Sequence, residues 1–264
     1  MLNIIKADMY RIFRSKGFYI TIGLLLLLIG LQVLANDVGR IMVVGDVDKY
    51  NDVVSDKVFT GKIAPLAMIG TADTLLYFMI PFMIFIGSAD FSSGTAKNVL
   101  SNGMPRIKYY LAKLFLSCVF CVFILMMNII LPIIVGTVKN GFGGAFDMEF
   151  VGQLSRPFLA QLFMCLAVTC VGIFLVFVTK RTAAVIGAYI AFCMVPMLIL
   201  SIFAMINNKL EFLLKYDVVS NIRLLAGIDM LPSADATRAF AVGAFYIIAS
   251  TIGGILIFRK SEIK

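Results

Sequence analysis

The chain has 264 residues, 61% of them hydrophobic, and a formal charge of +8 with no histidine; its mean hydropathy is +1.00. Soluble domains are about 45–50% apolar, so this composition excludes an ordinary soluble fold. Without histidine, neither a Ser–His nor a Cys–His nucleophile can be assembled.

In chain order, residues 1–16 come first. On a helical wheel Leu2, Ile5, Met9, Ile12 and Phe13 share one face, and Lys6, Tyr10, Arg11 and Arg14 lie round the other, with Ile4 as an exception. The pattern predicts a basic amphipathic helix lying along a membrane surface, with Met9, Tyr10, Arg11, Phe13 and Arg14 at its centre. The alternative is a plain basic anchor without helix.

Six apolar blocks follow, at 18–35, 64–88, 114–138, 157–179, 183–206 and 239–258, and none contains Lys, Arg or Glu. Each approaches or exceeds the ~20 residues a helix needs to cross a bilayer. Their lack of period-2 alternation argues against a transmembrane β-barrel. A secretory signal peptide is the rival for the first block, but its apolar run exceeds the ~7–15 residues usual for signals, so a retained first helix is expected. The prediction is an all-α polytopic membrane protein: one membrane domain over 1–264, with six transmembrane helices. Pro81, Pro132 and Pro196 fall inside spans and bend their helices, for packing or for gating.

Charge sets the orientation. The N-terminus, the second and fourth loops and the C-terminus hold thirteen bases, Lys6 to Lys264, against Asp8, Asp90 and Glu262. The remaining loops hold ten bases against eleven acids. Basic residues concentrate on the cytoplasmic side, so both termini are expected inside the cell. The excess charge then reads as topology and attraction to anionic lipid, with no nucleic-acid partner. The first outer loop, 36–63, is acidic; the last, 207–238, carries apolar runs too short to span and suited to capping the bundle.

The second block contains one acid, Asp73, beside Gly70, Thr71 and Thr74. It is either a hydrated acid at the outer helix end or an ionisable group on a solute pathway. Cys118 and Cys121 form a C-x-x-C pair with no second ligand pair, so they and Cys165, Cys170 and Cys193 read as packing residues without a metal. The chain has no G-x-x-x-x-G-K-[ST] loop, no H-E-x-x-H and no paired intramembrane acids. It therefore carries neither its own nucleotide site nor the groups of a membrane protease.

Between the second and third blocks runs DFSSGTAKNVLSNGMPRIKYYLAK, 90–113. Gly94 allows a sharp turn, Thr95 is placed to cap a short helix running to Asn102, and Asn102–Gly103 closes it. Pro105 opens the next helix, with Tyr109 and Tyr110 at interface depth. By physics alone this is a short helix at the inner membrane face or a plain loop.

The order D-F-S-S-G-T-x-K-x-x-L-x-x-G-x-x-R-x-x-Y-Y-x-x-K resembles the loop between spans two and three of type-2 ABC transporter permeases. The six spans, inside termini, amphipathic N-terminal helix and longer last outer loop are also similar to that family. The family more often has Glu at position 90 and Pro at 103 or 104. The resemblance implies a short cytoplasmic coupling helix, with Asp90, Phe91, Gly94, Thr95, Lys97, Asn98 and Leu100 facing a separate ATPase subunit and Arg106 and Lys113 supporting them. It implies that this chain binds no cofactor, that ATP and Mg bind the partner ATPase, and that a second permease subunit, identical or a sister chain, completes the path. It also implies a bacterial cell membrane and export of an amphipathic or antimicrobial peptide or another hydrophobic compound. Two other readings stand beside it: an ion-coupled secondary carrier using Asp73, and a non-transporting scaffold or sensor.

Overall fold

A computed structural model describes residues 2–35, 60–206, 212–213 and 215–261; most of the acidic first outer loop, 36–59, lies outside them. The described chain is helical, with no strand. The elements are α1 (Leu2–Arg14), α2 (Lys16–Ala35), α3 (Ala64–Ile69), α4 (Ala72–Ser92), α5 (Thr95–Ser101), α6 (Arg106–Asn140), α7 (Met148–Thr179), α8 (Thr182–Ile206), α9 (Val218–Leu224) and α10 (Ser233–Lys260), with a 3-10 segment Leu225–Met230 between α9 and α10. Six of them, α2, α4, α6, α7, α8 and α10, are long and apolar enough to cross a membrane, the architecture of a multi-pass membrane protein.

The outward faces match that architecture. On α2 only a narrow stripe is buried, Phe18, Thr21, Leu25, Ile29 and Val33, spaced three or four residues apart, while Leu24, Leu27 and Leu31 stand exposed. On α8 the buried stripe is Val185, Tyr189 and Cys193, with Leu198, Ile199 and Ile202 outside. In water such faces would be an aggregation hazard; in hydrocarbon they are solvated. α7 is the most enclosed span and packs along α10, α6 and α8. α10 meets it through small residues: a Cβ at Gly243 would run into Met164 and Phe163. Close backbone approach of this kind favours helix packing in membranes, where water supplies no driving force between helices.

Three bounds differ from the sequence expectation. The helices α6 and α7 begin eight or nine residues before their apolar blocks, because helical hydrogen bonding continues past the edge of the oil. The second block is broken: α3 ends at Gly70, and α4 starts with a 3-10 turn at Ala72. Asp90 and Phe91 belong to the last turn of α4 rather than to a loop.

α4 changes pitch along its length, from 3-10 over Ala72–Phe78, through an α turn containing Pro81, to a π turn over Ile84–Ser88. Irregular backbone at membrane depth must be satisfied by protein. Side chains from other elements do so. Asn128 Nδ2 of α6 donates to the Met68 carbonyl at 3.1 Å, and Gln161 Nε2 of α7 to Ile69 at 2.8 Å. Tyr189 Oη of α8 donates to Leu76 at 3.2 Å, and Arg11 of α1 to Phe85 at 2.6 Å.

The two chain ends lie at one face of the bundle. There the Arg106 guanidinium, at the start of α6, donates to the carbonyls of Phe258, Arg259 and Ser261 at 3.1, 2.8 and 2.8 Å. It thereby caps the last turn of α10, whose carbonyls have no partner within the helix.

Candidate functional site: a buried charge cluster beneath a short helix

The segment that the sequence singled out is assembled at that same face. Asp8 and Arg11 stand three residues apart on α1, Tyr109 and Lys113 four apart on α6. Each pair therefore shares one helix face, and both faces meet the last turn of α4, where Asp90 sits. Lys113 is fully buried and Asp90 nearly so, at 0% and 1% exposure.

The Lys113 ammonium bridges two carboxylates, donating to Asp8 Oδ2 at 2.6 Å and standing 2.5 Å from Asp90 Oδ2. Tyr109 Oη donates to Asp90 Oδ2 at 2.6 Å, and the Arg11 guanidinium donates to Asp90 Oδ1. Arg11 also reaches Asp8 Oδ1 at 3.1 Å and the Phe85 carbonyl. Two acids face two bases, so the cluster is neutral as a whole. That balance makes its burial tolerable, since a lone charge removed from water costs several kcal/mol. Burial pushes the Asp8 carboxyl above the usual carboxylate range, against the pull of Lys113.

One side of the cluster is closed by rings. Phe91, Tyr109, Tyr110, Phe177 and Phe258 pack edge-on or stacked, with Phe177 and Phe258 centroids 4.6 Å apart and Tyr110 and Phe177 4.8 Å apart. Tyr109 and Tyr110 are thus core residues.

α5 lies directly after this cluster. Gly94 adopts φ +71° and Gly103 φ +86°, the left-handed region where an L side chain is strained. These two turns reverse the chain into and out of the helix. Gly94 is the N-cap; Thr95 is the first helical residue and makes no cap bond, correcting the expected role of its hydroxyl, which pairs instead with Ser93 at 2.8 Å. Ala96 is buried against the bundle and Val99 and Leu100 are half-buried, while Lys97, Asn98 and Ser101 face outward. A helix seated by small and apolar residues, with a polar rim turned away, has the form of a surface offered to another molecule.

Of the residues named from sequence, Arg11, Asp90 and Lys113 enter one cluster, Phe91 packs beside it, and Gly94 to Leu100 form the helix beside it. Arg106 caps α10. On α1, Tyr10, Phe13 and Arg14 are exposed and Met9 half-buried. Phe13, of the apolar face, is 46% exposed, whereas Asp8 and Ile12 are buried against the bundle. Asp8 was missed; an acid three residues before an arginine, in a helix otherwise basic, was its signal. Thr182, at the start of α8, pairs through its hydroxyl with Ser88 near the end of α4 at 2.9 Å, which places the turn from α7 to α8 on the same face; there the Lys180 pKa is lowered by burial and by the charge of Arg106.

Asp73 lies apart, at the break between α3 and α4. It is 8% exposed, not the hydrated acid that its neighbours suggested, and Arg223 of α9 donates to its Oδ2 from Nε at 2.9 Å and Nη2 at 2.7 Å. Gln161 bridges the same region, donating to Ile222 at 3.1 Å as well as to Ile69. Among the described residues no group of three His, Cys, Asp or Glu comes together as a metal site.

Compared with known protein families and with curated proteins, the sequence matches none.

Proposed function

We propose that the chain is the membrane-spanning permease subunit of an ATP-driven exporter, with the face bearing both chain ends turned to the bacterial cytoplasm. The observation that carries this reading is the seating of α5. A short helix with a polar outer rim is rooted, through Asp90 and Lys113, in a buried ion cluster shared by α1, α4 and α6. A push on α5 is thereby delivered to the ends of two spans at once, since packed and ion-paired elements move as a body. The pushing group is a separate ATPase that holds ATP and Mg. A second permease subunit completes the path, and the substrate is an amphipathic or antimicrobial peptide or another hydrophobic compound. The chain's own role is conduit and lever.

The test is reconstitution in proteoliposomes with a nucleotide-binding ATPase subunit from the same organism. Lys97→Glu with Asn98→Ala should abolish ATP-dependent transport while membrane insertion and thermal stability stay at wild-type levels. Normal transport by that variant, together with no binding of an ATPase, rejects the reading.

Asp73 carries a second reading, an ion-coupled carrier, because it is a buried acid in a helix break. Under it, Asp73→Asn stops transport, whereas ATP depletion at a maintained ion gradient does not.

A further inference from the structure

At the end of the bundle opposite the chain termini, α7, α10 and the 3-10 segment Leu225–Met230 leave a groove of about 420 Å³ between them. Its walls are Leu159, Phe163, Ile228 and Phe240, and Arg156 and Asp229 stand at its rim. No part of the cluster or the Asp73 pair contributes to it.

The depth of the groove follows from the sequence of α7. Arg156 is the last charged residue before an uncharged run, 157–179. Those 23 residues rise about 34 Å, close to the ~30 Å of the hydrocarbon core. Arg156 therefore stands at headgroup level, and Leu159 and Phe163, one and two turns further in, stand at the level of acyl chains. Leu159 is 61% exposed, and Phe245 of α10, further from the same end, is 68% exposed, so the groove opens sideways into lipid.

The rim distinguishes one lipid chemistry from another. Arg156 and Asp229 are 3.3 Å apart with side chains 73% and 41% exposed. An ion pair so open to solvent contributes little and separates readily for a ligand bearing both charges. A guanidinium fits a phosphate through paired N–H donors, and a carboxylate accepts from a primary ammonium. We propose that this groove is a binding site for a zwitterionic aminophospholipid of the phosphatidylethanolamine type. One acyl chain lies between α7 and α10, the phosphate on Arg156 and the ammonium on Asp229. A lipid with an anionic headgroup and no amine would place its phosphate on Arg156 but leave Asp229 without a cation, and is disfavoured. The site requires only that the bundle sits in a bilayer; it stands or falls separately from the transport reading.

Native mass spectrometry of the full chain, released from nanodiscs of equimolar phosphatidylethanolamine and phosphatidylglycerol, tests it. The wild type should retain phosphatidylethanolamine in preference. Arg156→Gln, an exposed substitution, should lower that retention about tenfold, the loss of one charge-assisted contact. Asp229→Asn should erase the preference between the two lipids. A photoreactive amino acid at position 159 should yield a lipid adduct. Unchanged retention in Arg156→Gln, equal retention of both lipids by the wild type, or an adduct joining two copies of the chain would each overturn the assignment.

Discussion

Lys113 offers three N–H donors and no acceptor, and it is enclosed by α1, α4 and α6 with no exposed surface. Its removal is therefore not a simple truncation. Lys113→Met would leave Asp8 and Asp90 facing each other with Arg11 alone between them, and a buried pair broken on one side costs about 3–5 kcal/mol. Thermal unfolding in detergent should show that loss, while the double variant Asp90→Asn, Lys113→Met, which leaves Asp8 paired with Arg11 and the cluster neutral, should recover much of it. Equal destabilisation by the single and the double variant would mean that packing, not charge balance, holds the junction. Asp8 adds a pH dependence of unusual sign for a carboxylate. The charges facing it are Lys113 of α6, Asp90 of α4 and Arg11 of its own helix. The folded state holds its proton more tightly than the unfolded chain does, so Asp8 favours folding most below the ordinary pKa of 3.8. That contribution is lost as pH rises through the raised value. The stability difference between wild type and Asp8→Asn should therefore shift against the wild type as pH increases from about 4 toward neutrality. A flat difference over that range would contradict the assignment.

At the scale of elements, the turns and caps around α5 decide whether the helix holds its place. Gly94→Ala meets no neighbouring atom, so its cost is the left-handed backbone alone, about 1–2 kcal/mol. It should appear as faster amide exchange in α5 with α6 unaffected; uniform exchange across both would mean that α5 is not an independent unit. Arg106→Ala should speed exchange over 257–261, because the carbonyls of Phe258, Arg259 and Ser261 lose the Arg106 donor. No change there would show that the cap is redundant. These elements were partly legible in the sequence. Gly94 and Gly103 bound α5, and Pro105, expected as the first residue of α6, stands one residue earlier as its N-cap, since turn chemistry is local. The face that α1 buries was not legible. A wheel sorts residues by polarity and so set Arg11 on the solvent side, but the face packed on the bundle is set by Lys113, 105 residues from Asp8, which needs a counter-ion. For the same reason Asp73 read as an exposed helix end: its partner Arg223 is 150 residues away.

For the whole molecule, the apolar blocks foretold the number of spans because each is long enough to declare itself without tertiary context. Their bounds and the break in the second were beyond reach, since the donors that satisfy α3 and α4, Asn128, Gln161 and Tyr189, lie on three other helices. The bundle places Arg106, the turn at Lys180 and both chain ends on one face. The proposed export role depends on an ATPase meeting that face at α5. Photo-crosslinking from position 98 in native membranes measures this directly. The expected adduct is a polypeptide that carries a G-x-x-x-x-G-K-[ST] phosphate loop, formed from Asn98 on the cytoplasmic side. An adduct to lipid alone, or labelling of position 98 by an impermeant reagent added outside intact cells, would contradict the account.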